Sequence, residues 1–236
     1  GTRMSRFFLG VDGGQSSTLA LIGDATGREI MRAIIAGGEP FIREDLPELL
    51  ESVVRNRMRF TLLSNGGLID DRTASFIAGT GRCDQVQVSV DGARAQTHDV
   101  FRGNGAFEGA LRGLRTLQRH RVPVTARVTI HRRNVAELDE IVRFLLEGLG
   151  IPAITTNAAG FVGSCRSQAS EVLLTPEQRS GAMACLRELA AEYPGRIDAQ
   201  AGPLAEGRRW IAMERARREA GPAFADGGYL TGCGCT

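Results

Sequence analysis

Several short stretches of this sequence carry groups that could grip a small polar ligand. Gly37, Gly38, Glu39 and Pro40 form a glycine–glycine–acid–proline turn, and Ser64 and Asn65 open a second glycine turn. Ser89 and Asp91 stand just before Gly92, Arg127 and Thr129 lie in a β-branched run, and Asn157 precedes a third loop containing glycine. Glycine lets a backbone come close to a ligand and present its N–H and C=O groups. Glutamate can accept hydrogen bonds from an ammonium group, and arginine can make a two-pronged pair with a carboxylate. Serine, asparagine and aspartate suit ribose hydroxyls or the same amino-acid head group. Together these groups describe a site for an amino-acid-bearing nucleotide. Each stretch alone is commonplace as a turn; the weight lies in their coincidence.

The elements that must position them follow one rhythm. Short apolar runs at 32–36, 60–64, 85–90, 124–130 and 151–157 read as strands. Amphipathic stretches near 44–56, 70–79, 105–120 and 134–148 read as the helices after the first four, with two more helices near 176–192 and 204–219. Strand, loop and helix repeated in this way imply parallel strands with right-handed crossovers. The strands read as apolar on both faces, as strands covered on both sides are. The expected fold is α/β, either a doubly wound sheet or a (β/α) barrel, full or partial, with an N-terminal β-hairpin formed by 6–11 and 18–23. In such a fold ligands sit at the C-terminal strand ends, where the residues named above fall. The pattern divides the chain into a glycine-turn hairpin over 1–31 and a βα body with its C-terminal helices after it.

Composition narrows the function. With 29 basic against 27 acidic residues the net charge is +2, without the basic excess of a nucleic-acid binder. No apolar run is long enough to span a bilayer, so no membrane partner and a cytoplasmic location are expected. The basic stretch at 206–219 carries acids at helical spacing and reads as a solvated helix face. His98, in the loop expected at 97–103, His120 at a helix end and His131 after a strand do not have metal-site spacing, and His98 and Arg102 read as structural.

From about Ala33 onward the ordered motifs AGGEPFIREDLPELLE, TLLSNGGLID, VQVSVDGARAQTHDVFRGNGAFEGALRGLRTL and VPVTARVTIHRRNVAELDEIV resemble the radical S-adenosylmethionine (radical SAM) enzymes. The resemblance points to the peptide- and protein-modifying branch that carries a SPASM extension, and implies a partial (β/α) barrel with C-terminal helices over 32–228 and the start of that extension over 229–236. It implies that Gly37, Gly38 and Glu39, with Pro40, bind the methionine amino group of S-adenosylmethionine. It implies that Ser64, Asn65, Ser89, Asp91 and Arg127 hold ribose and carboxylate, and that the loop at Asn157 lies against adenine. It further implies a [4Fe–4S] cluster, a peptide or protein substrate, and an electron donor such as a flavodoxin or ferredoxin. The reaction implied is hydrogen abstraction by a 5′-deoxyadenosyl radical.

The family's Cys-x3-Cys-x2-Cys cluster loop does not occur in this sequence, whose cysteines are Cys83, Cys165, Cys185, Cys233 and Cys235. The chain by itself is therefore expected not to cleave S-adenosylmethionine reductively. GGYLTGCGCT resembles the opening of the SPASM extension, which makes Cys233 and Cys235 candidate auxiliary cluster ligands; two thiols are too few for a closed site. Cys83 and Cys185 read as buried fillers. The segment FFLGVDGGQSSTLALIGDATGREI (7–30) resembles instead the first hairpin of the actin-like sugar kinases and activator ATPases. That resemblance implies a phosphate turn at Asp12, Gly13, Gly14, Ser17 and Thr18. The alternatives to the radical enzyme are thus an ATP-dependent kinase or ATPase and a non-catalytic nucleotide-binding remnant.

Overall fold

The computed structural model describes residues 7–10, 18–23, 32–36, 38–160, 169–199 and 201–220. The readings at Asp12, Gly13, Gly14, Ser17, Gly37, Cys165, Cys233 and Cys235 lie outside these residues, as does the 229–236 segment. Of Thr18 only the backbone is described.

Eight strands form one sheet whose spatial order is the order of the chain. They are β1 (Phe7–Gly10), β2 (Thr18–Gly23), β3 (Arg32–Ala36), β4 (Arg59–Ser64), β5 (Cys83–Ser89), β6 (Val124–Ile130), β7 (Ile154–Ala158) and β8 (Ile197–Ala199). The hairpin β1–β2 is antiparallel and β2 pairs antiparallel with β3. From β3 to β8 every pairing is parallel. The expected parallel βα arrangement is therefore present, as is the N-terminal hairpin, which extends the sheet beyond β3. Six strands are parallel rather than five. The three residues of β8 are too short to announce themselves by pattern.

The helices are α1 (Leu46–Arg55), α2 (Asp71–Thr80), α3 (Ala95–Arg102), α4 (Ala106–Arg119), α5 (Leu138–Arg143), α6 (Ala169–Val172), α7 (Pro176–Glu192) and α8 (Pro203–Ala220). Local chemistry sets several of their starts. Asp70 Oδ1 accepts from the Thr73 N–H at 2.8 Å and caps α2. At α7, Thr175 Oγ1 accepts from the Gln178 N–H at 3.2 Å while Gln178 Oε1 accepts from the Thr175 N–H at 3.0 Å, a reciprocal cap. Two helical expectations need correction. Residues 97–103 do not form a loop: most of them belong to α3, and the Asp99 carboxylate accepts from the Gly105 and Phe107 N–H groups at the start of α4. The stretch 134–148 is not one α-helix: a 3₁₀ turn precedes α5 and a π-helical turn, Phe144–Gly148, follows it.

The strands are not apolar on both faces, which corrects the sequence reading. On β6, Val124, Ala126, Val128 and Ile130 are buried while Thr125, Arg127 and Thr129 between them are only partly so. The apolar face meets the helices, in a core that includes Phe60, Leu62, Leu114, Leu117, Ile141 and Leu145. Full burial of such a side chain stabilises by about 1.5–3 kcal/mol. The other face carries Gln87, Ser89, Arg127 and Thr129 into a cavity. Strand alternation thus divides the two tasks between two faces.

Candidate functional site

The cavity at the C-terminal strand ends measures about 420 Å³, and Glu39, Ser64, Asn65, Gln87, Ser89 and Arg127 line it. Four of its walls follow directly from strand ends. Parallel register sets Ser89 beside Arg127 on the cavity side, and Ser64, the last residue of β4, borders the same space.

Glu39 ties two of those ends together. Its Oε1 accepts from Ser64 Oγ at 2.8 Å and from the Phe41 N–H at 3.3 Å, and its Oε2 accepts from the Asn65 N–H at 2.6 Å. The turn behind these residues is built on absent side chains. Gly66, at φ +83°, would set a Cβ 2.9 Å from Val88 Cγ1, and a Cβ on Gly113 of α4 would stand 2.3 Å from the Gly66 carbonyl oxygen. Helix α4 therefore rests on the Ser64–Gly67 turn with backbone against backbone. Gly38, at φ +47°, lets the chain turn into Glu39 and also lines the cavity. Pro40 is buried and opens a 3₁₀ turn.

Arg127 projects into the cavity. The amide of Asn157 is satisfied in one orientation, in which its oxygen accepts from Arg127 Nη2 at 3.0 Å and its nitrogen donates to the Val128 carbonyl at 3.2 Å. An amide orients this guanidinium without neutralising it.

Asp91 does not line the cavity. Its side chain is fully buried, Oδ2 accepts from Arg102 Nε at 2.6 Å, and Oδ1 accepts from the Thr129 N–H at 2.7 Å. Asn134, also buried, donates to the Asp91 and Thr129 carbonyls, each at 2.9 Å. The acid thus serves as an anchor, and what it anchors is Arg102, which reaches the cavity in its place. Sequence reading treated Arg102 as structural; the signal that could have found it is its place at the end of an amphipathic turn followed by glycine.

A second, larger cavity of about 860 Å³ shares Glu39, Asn65, Ser89 and Arg102 with the first and continues over α3 and the start of α4. His98 and His131 both stand in its wall. His98 Nδ1 accepts from the Asp91 N–H at 3.0 Å, and His131 Nδ1 accepts from the Arg133 N–H at 3.2 Å. In both rings the proton of the neutral form is therefore on Nε2. Burial lowers both pKa values below the usual histidine range; Asp91 raises and Arg102 lowers each more weakly. His131 Nε2 has no partner among the described residues, and the ring stacks on Phe101 at 4.4 Å. His120 is elsewhere, at the C-terminal end of α4, with Nε2 2.7 Å from Asp71 Oδ1.

Among the described residues no cysteine lines either cavity. Cys83 is buried at the start of β5, where burial above all pushes its thiol up to about 12, and Cys185 lies on α7. Among the described residues no group of three or more His, Cys, Asp or Glu is placed to hold a metal ion. Nor is any helix there long and apolar enough to cross a membrane.

Comparison with known proteins bears on this geometry. Residues 20–145 match the Radical SAM superfamily. Over 161 residues the chain is 38% identical to Fe-coproporphyrin III synthase of Methanosarcina barkeri, a match covering 68% of this chain and 40% of that protein. It is 40% identical over 107 residues to the mycofactocin maturase MftC of Mycobacterium tuberculosis, covering 45% and 27%. Among solved structures, anSMEcpe with bound AdoMet and the Cp18Cys peptide superimposes with a TM-score of 0.58 at 15% identity, over 72% of this chain and 50% of that one. SuiB of Streptococcus suis, bound to its precursor peptide SuiA, gives 0.59 at 12%, over 76% and 40%. These two likenesses concern the fold. The chain spans less than half the length of the curated relatives named here.

Proposed function

The chain belongs to the radical SAM superfamily, and from that premise we propose that it forms the S-adenosylmethionine-binding part of an enzyme that modifies peptides or proteins. The observation that carries the reading is the convergence of Gly38, Glu39, Ser64, Asn65, Ser89 and Arg127 on one cavity at successive strand ends.

Members of the superfamily use S-adenosylmethionine and a [4Fe–4S] cluster. When bound, S-adenosylmethionine, given one electron, supplies a 5′-deoxyadenosyl radical that takes a hydrogen atom from the substrate. The donor set of the cavity suits this molecule. Arg127 offers its uncompensated guanidinium to the carboxylate, and Glu39 with the backbone of its turn, Gly37 included, receives the ammonium group. Ser64, Asn65 and Ser89 serve the ribose, and Asn157 both holds Arg127 and borders the adenine side. Asp91 contributes through Arg102, which borders the same space. The cluster is another matter: the cysteines at described positions do not fit it, since none faces a cavity. No step through a cluster is assigned to these residues. Cys233 and Cys235 are proposed as ligands of an auxiliary cluster. The electron donor is proposed to be a flavodoxin or ferredoxin, and the compartment the cytoplasm.

The peptide reading draws support from the maturase and from the two structural relatives whose names state a peptide. A tetrapyrrole substrate is the second reading, favoured by the 161-residue match to Fe-coproporphyrin III synthase. The kinase alternative rests on residues 7–30 alone, whereas the superfamily match begins at residue 20 and takes in β2; the radical-enzyme reading is preferred over it. Calorimetric titration of the full chain with S-adenosylmethionine tests the proposal. Saturable binding at one site is expected, and absence of binding, or equal binding of ATP, would refute it.

A further inference from the structure

The larger cavity combines two features that the S-adenosylmethionine site does not require. The first is an apolar rim. Ile42, Leu68 and Val100 are exposed to 70%, 52% and 55%, among the few large hydrophobic side chains so exposed in the described residues. All three line this cavity. They come from three separate connections, after β3, β4 and β5, so no single element explains the patch. Apolar groups gathered at the mouth of a cleft mark a surface that another molecule covers.

The second feature is a donor-rich wall with an unspent cation. Arg102 is matched by Asp91 and Arg133 by Glu171. Arg112 of α4 makes no ion pair among the described residues. Its Nη2 stands close over Gly109, where a Cβ would lie 3.8 Å from it. His131, in the lining of the same cavity, carries a buried Nε2–H that has no acceptor among the described residues. A buried donor without an acceptor is costly, and a bound acceptor removes the cost.

We propose that the larger cavity binds a carboxylate of the substrate, through Arg112 and the Nε2–H of His131, with the apolar neighbour of that carboxylate against Ile42, Leu68 and Val100. The inference rests on the reading of the smaller cavity as the S-adenosylmethionine site, because it assigns the adjoining space to the substrate. Both candidate substrate classes can present this chemistry, a peptide through an acidic side chain or free terminus and a tetrapyrrole through its acid substituents.

Two pairs of probes separate the sources: a hydrophobic pentapeptide with a free C-terminal carboxylate against its C-terminal amide, and coproporphyrin III against its tetramethyl ester. Each is titrated into the full chain in the presence of S-adenosylmethionine. At least one acid should bind about tenfold or more tightly than its neutral partner. The difference should vanish in Arg112→Gln, persist in Arg55→Gln on α1, and return in part in Arg112→Lys. A merely structural role for Arg112 would weaken acid and neutral probe alike. Equal binding of both members in both pairs, no binding of any probe, or discrimination that survives Arg112→Gln would each overturn the proposal. Binding of S-adenosylmethionine alone is read in the same titrations. Its failure would count against the proposed function, and its success with failed probes would count against this inference only.

Discussion

At the scale of single residues, charge placement decides most outcomes. Arg127 is oriented by the Asn157 amide and keeps its charge for a ligand. A charge-assisted bond to a carboxylate is worth about 1.5–3 kcal/mol. Arg127→Ala should therefore weaken S-adenosylmethionine binding by roughly tenfold or more, since about 1.4 kcal/mol is a factor of ten. Arg55→Ala, on an exposed part of α1, should leave it unchanged, and calorimetry on both variants separates the two. The Asp91–Arg102 pair behaves differently. Arg102→Ala leaves a fully buried carboxylate without its cation, which costs about 3–5 kcal/mol. Denaturant unfolding should show that loss, and Asp91→Asn combined with Arg102→Leu should recover part of it. Loss of binding without loss of stability in Arg102→Ala would contradict the anchoring role of Asp91.

At the scale of elements, the seating of α4 on the turn after β4 is the feature most exposed to test. A methyl group at Gly113 would meet the Gly66 carbonyl oxygen at 2.3 Å, so Gly113→Ala should destabilise despite a helix-propensity gain of about 1 kcal/mol. Gly181, inside α7, has nothing within 4 Å of an added Cβ. There the same substitution should stabilise by about 0.5–1 kcal/mol. Thermal unfolding of the pair distinguishes close approach from propensity. The elements were legible in the sequence to differing degrees. The parallel strands from β3 to β7 announce themselves because their helix-facing sides are mostly apolar, with Ser64 and Thr156 as buried exceptions, and α7 does so through its cap. The polar inward face did not, because Gln87, Thr125 and Thr129 sit among β-branched neighbours and look like parts of one apolar run. Glu39, Ser64, Asn65 and Ser89 share a cavity because each falls at or near a strand end, and Arg127, in the middle of β6, joins them because it pairs in register with Ser89. Asp91 lies two residues past the end of β5, where the chain has turned inward, and alternation no longer tells which way a side chain points. Spacing does not single out His131, and Arg102 is marked only by its place before Gly103, because the role of each comes from what its side chain meets in the folded connection.

At the scale of the whole molecule, the two buried histidines link stability to pH. Burial lowers the pKa of His98 and of His131 below the value of 6.5 that the unfolded chain would show. The unfolded state then binds more protons wherever pH lies between the folded and unfolded values, so stability must fall as pH falls through that window. The contribution is fully present above about pH 6.5 and is lost progressively below it. Urea midpoints measured from pH 8 down to pH 5.5 should decline, and the decline should flatten in His98→Gln and His131→Gln together. A flat profile in the parent chain would mean that neither ring is held neutral.

The order of the sheet has a consequence for synthesis. From β3 to β8 each strand lies beside the one made just before it. A unit leaving the ribosome therefore finds its docking edge already complete, and no strand has to wait for a partner not yet translated. The vulnerable moment is a pause between units, when the newest strand shows an uncovered backbone edge to other nascent chains. Protease protection of ribosome-bound chains arrested at successive lengths should spread from β3 toward β8. Protection that appeared only once β8 had emerged would mean instead that the sheet assembles as a single late event.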